Sequence, residues 1–524
     1  MGIRDRLSRL LAEADADAEA IEYDGQWWTW GQVRRTAREV IAALDSAGLG
    51  AGARVGVVLE NRPEHIAVVA AVIGSGRCLV MLSPLQPAAR LAADIDRCTL
   101  PVVVAGPEPL TRAGVLTAAT AQGMALELAT DGAIRPTHHT TPTTPTALAA
   151  APAAPADVPA HVPAAAPAAP GVAVEMLTSG TTGPPKRVHL RIGQLDQALV
   201  SGGQIPKGER LLSRSASLVA APLVHIGGLW RALGCLATGR RMILMPKFVV
   251  EPWVSAVERH RLRAASLVPA AIRAVLDAGV PRERLASLQV VTSGTAPCPA
   301  ELADAFFRTY GIPVLMTYGA TEFAGAVAGW TLPLHERWWP RKAGSAGRAF
   351  DGVDLRVTGE DGTELPVGRT GRLEVRTEQS TRGGRAWTRT SDLARIDADR
   401  FVWIEGRADD AIIRGGFKVQ PETVQRVLES HPAVREAAVA GLPDARLGEV
   451  PVAAVEAEPE QPAPDTAELL AHCRTRLAPY EVPAHVVVLD ALPRTPSSKI
   501  SRVELLALVR ARIAGHERVE EDRR

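Results

Sequence analysis

Short apolar runs alternate with amphipathic stretches along most of this chain. Residues 54–59 and 101–105 have the length and composition of buried strands, whereas residues 63–75 and 91–98 show helical periodicity. Beyond residue 170 the same alternation predicts strands at 218–221, 241–246, 264–268, 288–292 and 313–317, and helices at 252–261 and 299–308. Strand–helix alternation over such a length predicts an α/β fold with largely parallel sheets.

Three segments depart from this alternation. Residues 351–404 contain short strands and glycine turns, which predict a small β subdomain, and the chain ends in an α+β unit whose helices start near Pro421 and Asp465. Residues 136–170 consist almost entirely of Ala, Pro, Thr and His, which predicts a solvated loop or linker without chemistry of its own. A chain of 524 residues is too long for one compact core, so we expect at least two domains.

Composition excludes several classes of function. A formal net charge of +1 argues against a nucleic acid or an acidic membrane bound by bulk charge. The five cysteines form no CxxC pair, which argues against a zinc site or a disulfide framework and favours a reducing, cytoplasmic location. The first residues are charged and lack the apolar segment of a signal peptide, and the apolar run at 66–76 is too short to span a bilayer.

Lysine is rare in this chain. Only six of the 59 basic residues are lysine, and the rest are arginine. If arginine has replaced lysine at positions that tolerate both residues, a lysine that remains is more often one whose compact ammonium is needed.

The segment from Thr178 to Lys186 reads Thr-Ser-Gly-Thr-Thr-Gly-Pro-Pro-Lys. Its glycines allow close backbone approach, its hydroxyls are short donors, and its lysine supplies a positive charge, which together are typical of a polyphosphate-binding loop. It differs from the Walker loop because only two residues separate Gly180 and Gly183. The two prolines forbid a helix through Lys186, so we expect this lysine to lead into a strand at 187–190. On composition alone, a plain surface turn remains the alternative.

Four further segments follow in order. They are residues 221–228 around His225, Tyr-Gly-Ala-Thr-Glu at 318–322, the group 390–394, 406–410 and 414–418, and Pro-Arg-Thr-Pro-Ser-Ser-Lys-Ile at 493–500. With these motifs in this order, residues 28–506 resemble the acyl-adenylate-forming (AMP-binding) superfamily, in its acyl-CoA synthetase branch. The resemblance implies an N-terminal AMP-binding domain at 1–405, a hinge at 406–410 and a small mobile C-terminal lid domain at 411–524.

The resemblance also implies an activity. A carboxylic acid reacts with ATP to give acyl-AMP and pyrophosphate, and the thiol of coenzyme A then displaces AMP, with Mg²⁺ as the metal. The implied catalytic residues are Lys499, His225 and Glu322. The implied metal ligands are Glu322 and Thr181. The implied nucleotide-binding residues are Thr178, Ser179, Gly180, Thr181, Thr182, Gly183, Lys186, Gly294, Thr295, Ala296, Tyr318, Gly319, Ala320, Thr321, Asp392, Arg407 and Lys499.

The same resemblance assigns an acyl pocket and a thiol channel. The implied pocket residues are His225, Gly227, Gly228, Ala320, Ala324 and Gly325, and the implied pantetheine channel residues are Gly415, Gly416 and Lys418, with Asp409 as the hinge. Because no acid lies between His225 and Trp230, nothing would pair with a substrate ammonium, and an α-amino acid is not expected. Small lining residues favour a bulky aromatic, polycyclic or fatty acid.

Two alternatives to an acid–CoA ligase remain open from the sequence. The first is a stand-alone adenylating enzyme that loads a carrier protein, which would act in trans because no carrier segment follows residue 506. The second is a non-catalytic nucleotide-binding homologue, against which Lys186, Glu322, Asp392, Arg407 and Lys499 all argue. The chain also departs from the family pattern, because Ser391 and Ser498 stand where glycine is common.

Overall fold

The computed structural model describes residues 1–121, 123–137, 167–178, 186–204, 210–381, 384, 386–414, 417–444, 446–459, 461–495 and 499–521. The helices in this part are α1 (Ile3–Glu13), α2 (Trp30–Ser46), α3 (Pro63–Gly74), α4 (Ala88–Cys98), α5 (Pro107–Thr111), α6 (Val115–Ala121), α7 (Ile192–Ser201), α8 (Ile226–Thr238), α9 (Val250–His260), α10 (Pro269–Asp277), α11 (Ala300–Tyr310), α12 (Leu332–Lys342), α13 (Pro421–Glu429), α14 (Thr466–Arg474) and α15 (Arg502–Glu521).

The strands of the described residues include short edge strands as well as long central ones. They are β1 (Glu19–Tyr23), β2 (Gln26–Thr29), β3 (Arg54–Val58), β4 (Cys78–Leu82), β5 (Val102–Ala105), β6 (Met124–Leu128), β7 (Ile134–Thr137), β8 (Val172–Thr178), β9 (Lys186–Arg191), β10 (Ala216–Val219), β11 (Arg241–Leu244), β12 (Ala264–Ser266), β13 (Val290–Ser293), β14 (Val314–Ala320), β15 (Gly325–Gly329), β16 (Arg348–Ala349), β17 (Val353–Thr358), β18 (Gly371–Thr377), β19 (Thr388–Ile396), β20 (Val402–Arg407), β21 (Ile412–Arg414), β22 (Phe417–Val419), β23 (Val434–Asp444), β24 (Gly448–Ala457) and β25 (His485–Leu489).

Three sheets with parallel centres form the larger part of the molecule. The first has the order β7-β6-β5-β3-β4-β8-β9, the second β10-β11-β1-β2, and the third β12-β13-β14-β15-β16. Strands β5, β3, β4 and β8 are parallel, and antiparallel β7 and β9 close the edges of the first sheet. The parallel strands are mostly apolar because helices cover them, and every residue of α3 from Pro63 to Ile73 is buried.

Two smaller units follow along the chain. The antiparallel sheet β17-β18-β19-β20 is the β subdomain expected from the glycine turns. The last sheet has the order β22-β21-β24-β23, with β25 beside β24. Its apolar residues pack with α13, α14 and α15 into cores separate from those of the large sheets. The expected α/β class, with a separate α+β region at the C-terminus, is confirmed.

Sequence reasoning located the central strands and several of their helices but overlooked many of the other elements. Helix α1 and the β1–β2 hairpin were not predicted, although Ile3, Leu7 and Leu10 of α1 recur at helical spacing. Most of the predicted loop at 136–170 lies outside the described residues. None of the helices in the described ranges is long and apolar enough to cross a lipid bilayer.

Candidate active site

Several segments singled out in the sequence lie at the carboxyl ends of strands. Thr178 ends β8, the turn 294–296 follows β13, and residues 318–320 end β14. Residues beyond the carboxyl ends of parallel strands face a common crevice in α/β proteins. We call the space between these strand ends, the start of α8 and Lys499 the central cleft.

The glycine-rich segment is the connection of a β-hairpin. Thr178 pairs with Lys186 across the antiparallel strands β8 and β9, so these two residues mark the base of the connection. Lys186 begins β9, as the prolines before it predicted, and its side chain is exposed. The predicted phosphate contacts of Ser179, Gly180, Thr181, Thr182 and Gly183 lie outside the described residues, as does the side chain of Thr178.

Tyr318 and Asp392 form a direct contact between two sheets. The Tyr318 hydroxyl on β14 donates a short hydrogen bond to Oδ2 of Asp392 on β19. Burial, together with the Asp392 charge, raises the pKa of Tyr318 well above its usual range, so the hydroxyl remains a donor at neutral pH. The backbone of Asp392 is held by its own N–H, which donates to Oγ1 of Thr390 at 3.1 Å.

Gly319 permits a close approach of β14 and β15 beside Tyr318. A Cβ at this position would lie 2.2 Å from the carbonyl oxygen of Gly325, which no side chain could tolerate. Ser391, which stands where the family commonly has glycine, lies within extended β19 and is not among the residues with positive φ. Serine is therefore accommodated there without backbone strain.

The turn after β13 has a constrained backbone. Thr295 has a φ of +69°, which is unusual for a β-branched residue, and its hydroxyl donates to the carbonyl of Gly294 at 2.5 Å. A Cβ on Gly294 would lie 2.6 Å from Oγ1 of Thr317 on the neighbouring strand. The turn therefore presents flat backbone, with Thr295 directed toward α8, where Gly227 lies opposite it.

Glu322 lies in a single 3-10 turn, Thr321–Phe323, directly after β14. Buried Phe323 anchors the turn, and the backbone N–H of Thr381 donates to the Glu322 carbonyl at 3.2 Å, while the Glu322 side chain is exposed. Among the described residues, no cation pairs with this carboxylate, and no group of three His, Cys, Asp or Glu residues could hold a metal ion alone. A single open carboxylate suits a cation that takes its other ligands from phosphate and water.

His225 and Lys499 meet in the central cleft. His225 is the extended residue before α8, and its Nε2 is buried without a hydrogen-bond partner in the described part of the chain. Burial, and then the positive charge of Lys499, lower the pKa of His225 from its ordinary 6.5 to about 4, so the imidazole is neutral at physiological pH.

Hydrogen bonds to Thr495 hold the backbone of Lys499. The Thr495 N–H donates to the Lys499 carbonyl at 2.7 Å, and the Lys499 N–H donates to Oγ1 of Thr495 at 3.3 Å. Burial of the ammonium, and then the nearby charge of Arg407, lower the pKa of Lys499. The residue as a whole is nevertheless exposed, so Lys499 is not sealed in a core.

Arg407 and Asp392 lie opposite each other on adjacent strands β20 and β19. Arg407 is 3.8 Å from Asp410, and Asp410 also pairs with Arg502 at 2.5 Å. The structure therefore brings Asp392, Arg407 and Lys499 together at one end of the cleft, as expected from their motifs.

The small residues expected in the acyl pocket divide into two groups. Gly227 has open space around its Cα, because a Cβ added there would have only Thr295 Cγ2 within 4 Å. Ala320 is half-buried. In contrast, a Cβ on Gly228 would lie 2.1 Å from the Pro222 carbonyl, and Ala324 is fully buried in the main core. Their small size is required by packing.

Gly325 faces an aromatic residue of α8. A Cβ on Gly325 would lie 3.2 Å from the ring of Trp230, whose Nε1 donates to the Ala198 carbonyl at 3.2 Å. Trp230 therefore forms a fixed wall against this glycine. The next residue, Arg231, also lies beside the cleft and was not identified from the sequence, because no motif includes it.

The predicted thiol-channel residues Gly415 and Gly416 lie outside the described residues, as do the side chains of Lys418 and Asp409. What the structure describes nearby is an ionic contact between the C-terminal sheet and the large part of the molecule. Arg435 of β23 pairs with Asp277 at the end of α10, and its Nε lies 3.4 Å from Glu456 of β24.

Comparisons with known proteins agree with this geometry. The profile of a family described as AMP-binding enzyme matches residues 10–383, and a second one, described as AMP-binding enzyme C-terminal domain, matches residues 423–499. Indoleacetate–CoA ligase of Aromatoleum aromaticum is 33% identical over 348 residues, which are 63% of this chain and 66% of that protein. Feruloyl-CoA synthase of Amycolatopsis sp is 31% identical over 512 residues, 94% of this chain and 96% of that protein. The crystal structure of ATP-bound MatB from Rhodopseudomonas palustris has a TM-score of 0.78 and 25% identity, covering 97% of this chain and 99% of that one.

Proposed function

This chain belongs to the AMP-binding enzyme family, and from that premise we propose that it is an ATP-dependent acid–CoA ligase. A carboxylate oxygen attacks the α-phosphorus of ATP, the bond to pyrophosphate breaks, and an acyl-AMP forms. The sulfur of coenzyme A then attacks the acyl carbon and releases AMP. The observation that carries this proposal is the convergence of Lys499 and His225 in one cleft with the Tyr318–Asp392 pair.

The nucleotide half of the cleft fits adenosine. We assign the adenine to the space between Tyr318 and the flat turn at 294–296, with Gly319, Ala320 and Thr321 completing the wall. Asp392, an acceptor held by Tyr318 and by its own backbone, is suited to the two ribose hydroxyls. The phosphates are assigned to the hairpin connection that ends at Lys186.

The metal is assigned to Glu322, with Thr181 as a second ligand. The open Glu322 carboxylate is a hard oxygen ligand beside the assigned phosphates, and it has no competing cation among the described residues. When bound, Mg²⁺ neutralises charge on the phosphate oxygens. The chain's own part is to keep this carboxylate accessible on a turn anchored by Phe323.

Lys499 supplies the charge that adenylation requires. Negative charge grows on the α-phosphate oxygens as the carboxylate attacks, and an ammonium positioned beforehand stabilises that charge. Arg407 stands close to it and adds to the positive field. Neutral His225, with Nε2 unpartnered, can hold the substrate carboxylate by one hydrogen bond without placing a further charge in the pocket.

The second half-reaction requires Lys499 to leave the cleft. We assign residues 1–405 to the N-terminal domain, 406–410 to the hinge around Asp409, and 411–524 to the C-terminal domain. Gly415, Gly416 and Lys418 are assigned to the pantetheine channel. The ion pair between Arg435 and Asp277 joins the C-terminal sheet to the large part of the molecule. Because this pair is partly exposed and of modest strength, it is compatible with such a movement.

The substrate is a bulky aromatic, polycyclic or fatty acid. Indoleacetate and ferulate, in the names of two relatives, are aromatic carboxylic acids. Gly227 leaves room at the start of α8, and residues 226–230 contain no acid that could pair with a substrate ammonium. The five cysteines are free and buried, which supports the proposal that the protein works in the reducing cytoplasm.

The test is acid-dependent exchange of labelled pyrophosphate into ATP, screened over aryl, polycyclic and fatty acids. We expect exchange with a subset of these acids and none without acid. Exchange with no acid in the screen would reject the enzymatic proposal and favour the non-catalytic alternative. For an acid that supports exchange, coenzyme A and a phosphopantetheinylated carrier protein are then offered together. If the carrier thioester forms preferentially, the acceptor is the carrier protein and not coenzyme A.

A further inference from the structure

Arg231 is a charged residue on an otherwise apolar helix. Helix α8 runs from Ile226 to Thr238, begins directly after His225, and ends at Gly239 in the left-handed conformation. Most of its residues belong to the hydrophobic core. A cation in such a helix is costly unless something offsets its desolvation.

The described residues offer Arg231 little compensation. One Nη2 donates to Oγ1 of Thr292 on β13 at 3.0 Å, and no described carboxylate forms an ion pair with the guanidinium. Burial lowers the pKa of Arg231 to about 10, so the group is still positively charged at neutral pH. Among the described residues, one neutral hydrogen-bond acceptor, Thr292, is therefore the main group that offsets the buried positive charge of Arg231.

The guanidinium is not sealed in the core. Its remaining nitrogens are not among the fully buried polar atoms that lack a partner, and the residue as a whole is half-buried. Arg231 lies four positions after Gly227 and so on the same face of α8, the face that looks toward Thr295 and Thr292 at the end of β13. This face of α8 borders the inner end of the central cleft.

The position of Arg231 along α8 sets its distance from the reacting carboxylate. His225 stands six residues before Arg231, which corresponds to about 9 Å along a helix axis at 1.5 Å per residue. An acid whose reacting carboxylate lies at His225 and Lys499 would therefore reach Arg231 with a group roughly 9 Å further in.

A purely structural role does not account for the charge. The Thr292 hydroxyl already donates to the Ala265 carbonyl at 3.3 Å, so it needs only one donor, which a neutral amide could supply at lower desolvation cost. A guanidinium has five N–H donors in a fork that matches carboxylate geometry. Most of these donors remain for something that enters the cleft.

We propose that Arg231 binds a second anionic group on the acyl substrate, so that the preferred acid carries a carboxylate or similar anion remote from the one that is activated. This proposal rests on the proposed ligase function and names its substrate class. Arg231 is thereby a specificity-determining residue at the inner end of the acyl pocket, while Lys499 and His225 serve the reacting carboxylate at its entrance.

The experiment compares matched acids in pairs. Straight-chain dicarboxylic acids are measured beside monocarboxylic acids of equal length, and 4-carboxycinnamic acid beside cinnamic acid, by pyrophosphate exchange with the wild-type enzyme, Arg231→Gln, Arg231→Lys and Thr292→Val. We expect the wild-type kcat/KM to favour the dianionic member of the best pair. Arg231→Gln should lose about 30-fold or more on that acid, mainly through KM, and change little on its partner. Arg231→Lys should retain part of the preference, and Thr292→Val should retain it because the charge remains.

The outcomes separate this inference from the proposed function. Exchange with no acid at all rejects the ligase proposal. Exchange that does not distinguish the two members of each pair in the wild-type enzyme rejects the role of Arg231 alone, and this comparison needs no variant to fold. Equal losses by Arg231→Gln on both members, with an unchanged melting temperature, would also overturn it.

Discussion

The nucleotide half and the acyl half of the central cleft differ in how their polar groups are satisfied. On the nucleotide side, Tyr318 donates to Asp392, whose backbone is tied to Thr390. On the acyl side, His225 Nε2 has no partner among the described residues, and Arg231 has one neutral partner for a full charge. One side is pre-organised by the protein, and the other is completed by what binds.

This difference teaches where specificity resides. A nucleotide common to a whole family can be met by a fixed set of paired groups, because the ligand does not change. Unpartnered polar groups in a low-dielectric pocket instead penalise every substrate that fails to satisfy them. We therefore expect substitutions on the nucleotide side to weaken all reactions alike and those on the acyl side to change which acid reacts.

The largest effect is expected from Lys499→Ala. Loss of a pre-positioned charge at the reacting phosphate should reduce acid-dependent exchange on the order of 10²–10³-fold. Use of added acyl-AMP with coenzyme A should be nearly unchanged. The matched control is Lys247→Ala, because Lys247 is also a rare lysine but is exposed just after β11. Equal loss of both half-reactions would contradict the assigned role.

The next effect concerns His225 and pH. The folded chain protonates this imidazole only near pH 4, whereas the unfolded chain does so near 6.5. Its contribution to stability is therefore complete above about pH 6.5 and is lost as the pH falls from there toward 4. Histidine resonances followed by NMR should show the low pKa, and Lys499→Ala should raise it because a neighbouring positive charge is removed. A His225 pKa near 6.5 that does not change in Lys499→Ala would contradict the proposed proximity of the two residues.

A smaller effect is expected from Tyr318→Phe. Removing the donor leaves Asp392 without its Tyr318 partner and should raise the KM for ATP about 10-fold, whichever acid is used. Tyr23→Phe, in β1, is the matched control and should leave the KM unchanged. An effect that depends on the acid would show that the two halves are not separate in the way proposed.

The smallest effect is expected from Asp277→Asn, which removes the ion pair with Arg435. Because Asp277 is 42% exposed, the pair is screened, and adenylation should fall only about two- to three-fold, less so at high salt. The thioester step should not fall. Asp354→Asn, which breaks a comparable exposed pair with Arg376 inside the β subdomain, should affect neither half-reaction. A larger loss in thioester formation than in adenylation would contradict this account of the contact.

Sequence reasoning reached the nucleotide half further than the acyl half, for physical reasons. Glycine, hydroxyl and carboxylate residues at strand ends carry recognisable spacing, so the family and the α/β fold were predicted and are confirmed. The roles of individual site residues remain predictions. Arg231 could not be found, because an arginine in an apolar helix has no spacing to read and only its neighbours reveal that its charge is uncompensated.

The sequence alone does not show which small residues leave room for a ligand. Gly227 and Gly228 are adjacent and look equivalent in the sequence, but one faces the open cleft and the other packs against the Pro222 carbonyl. Likewise, Ala324 was expected in the pocket and is fully buried in the core. Whether a small side chain makes room for a ligand or for the protein itself depends on tertiary packing.

The central claim is that a substrate carboxylate attacks the α-phosphorus of ATP in this cleft. The most direct measurement uses an acid that supports pyrophosphate exchange, labelled with the heavy isotope of oxygen in its carboxylate, in a complete reaction with ATP, Mg²⁺ and coenzyme A. The account predicts that AMP carries one labelled oxygen from each acid consumed. Label found instead in orthophosphate, with ADP as the nucleotide product, would contradict it.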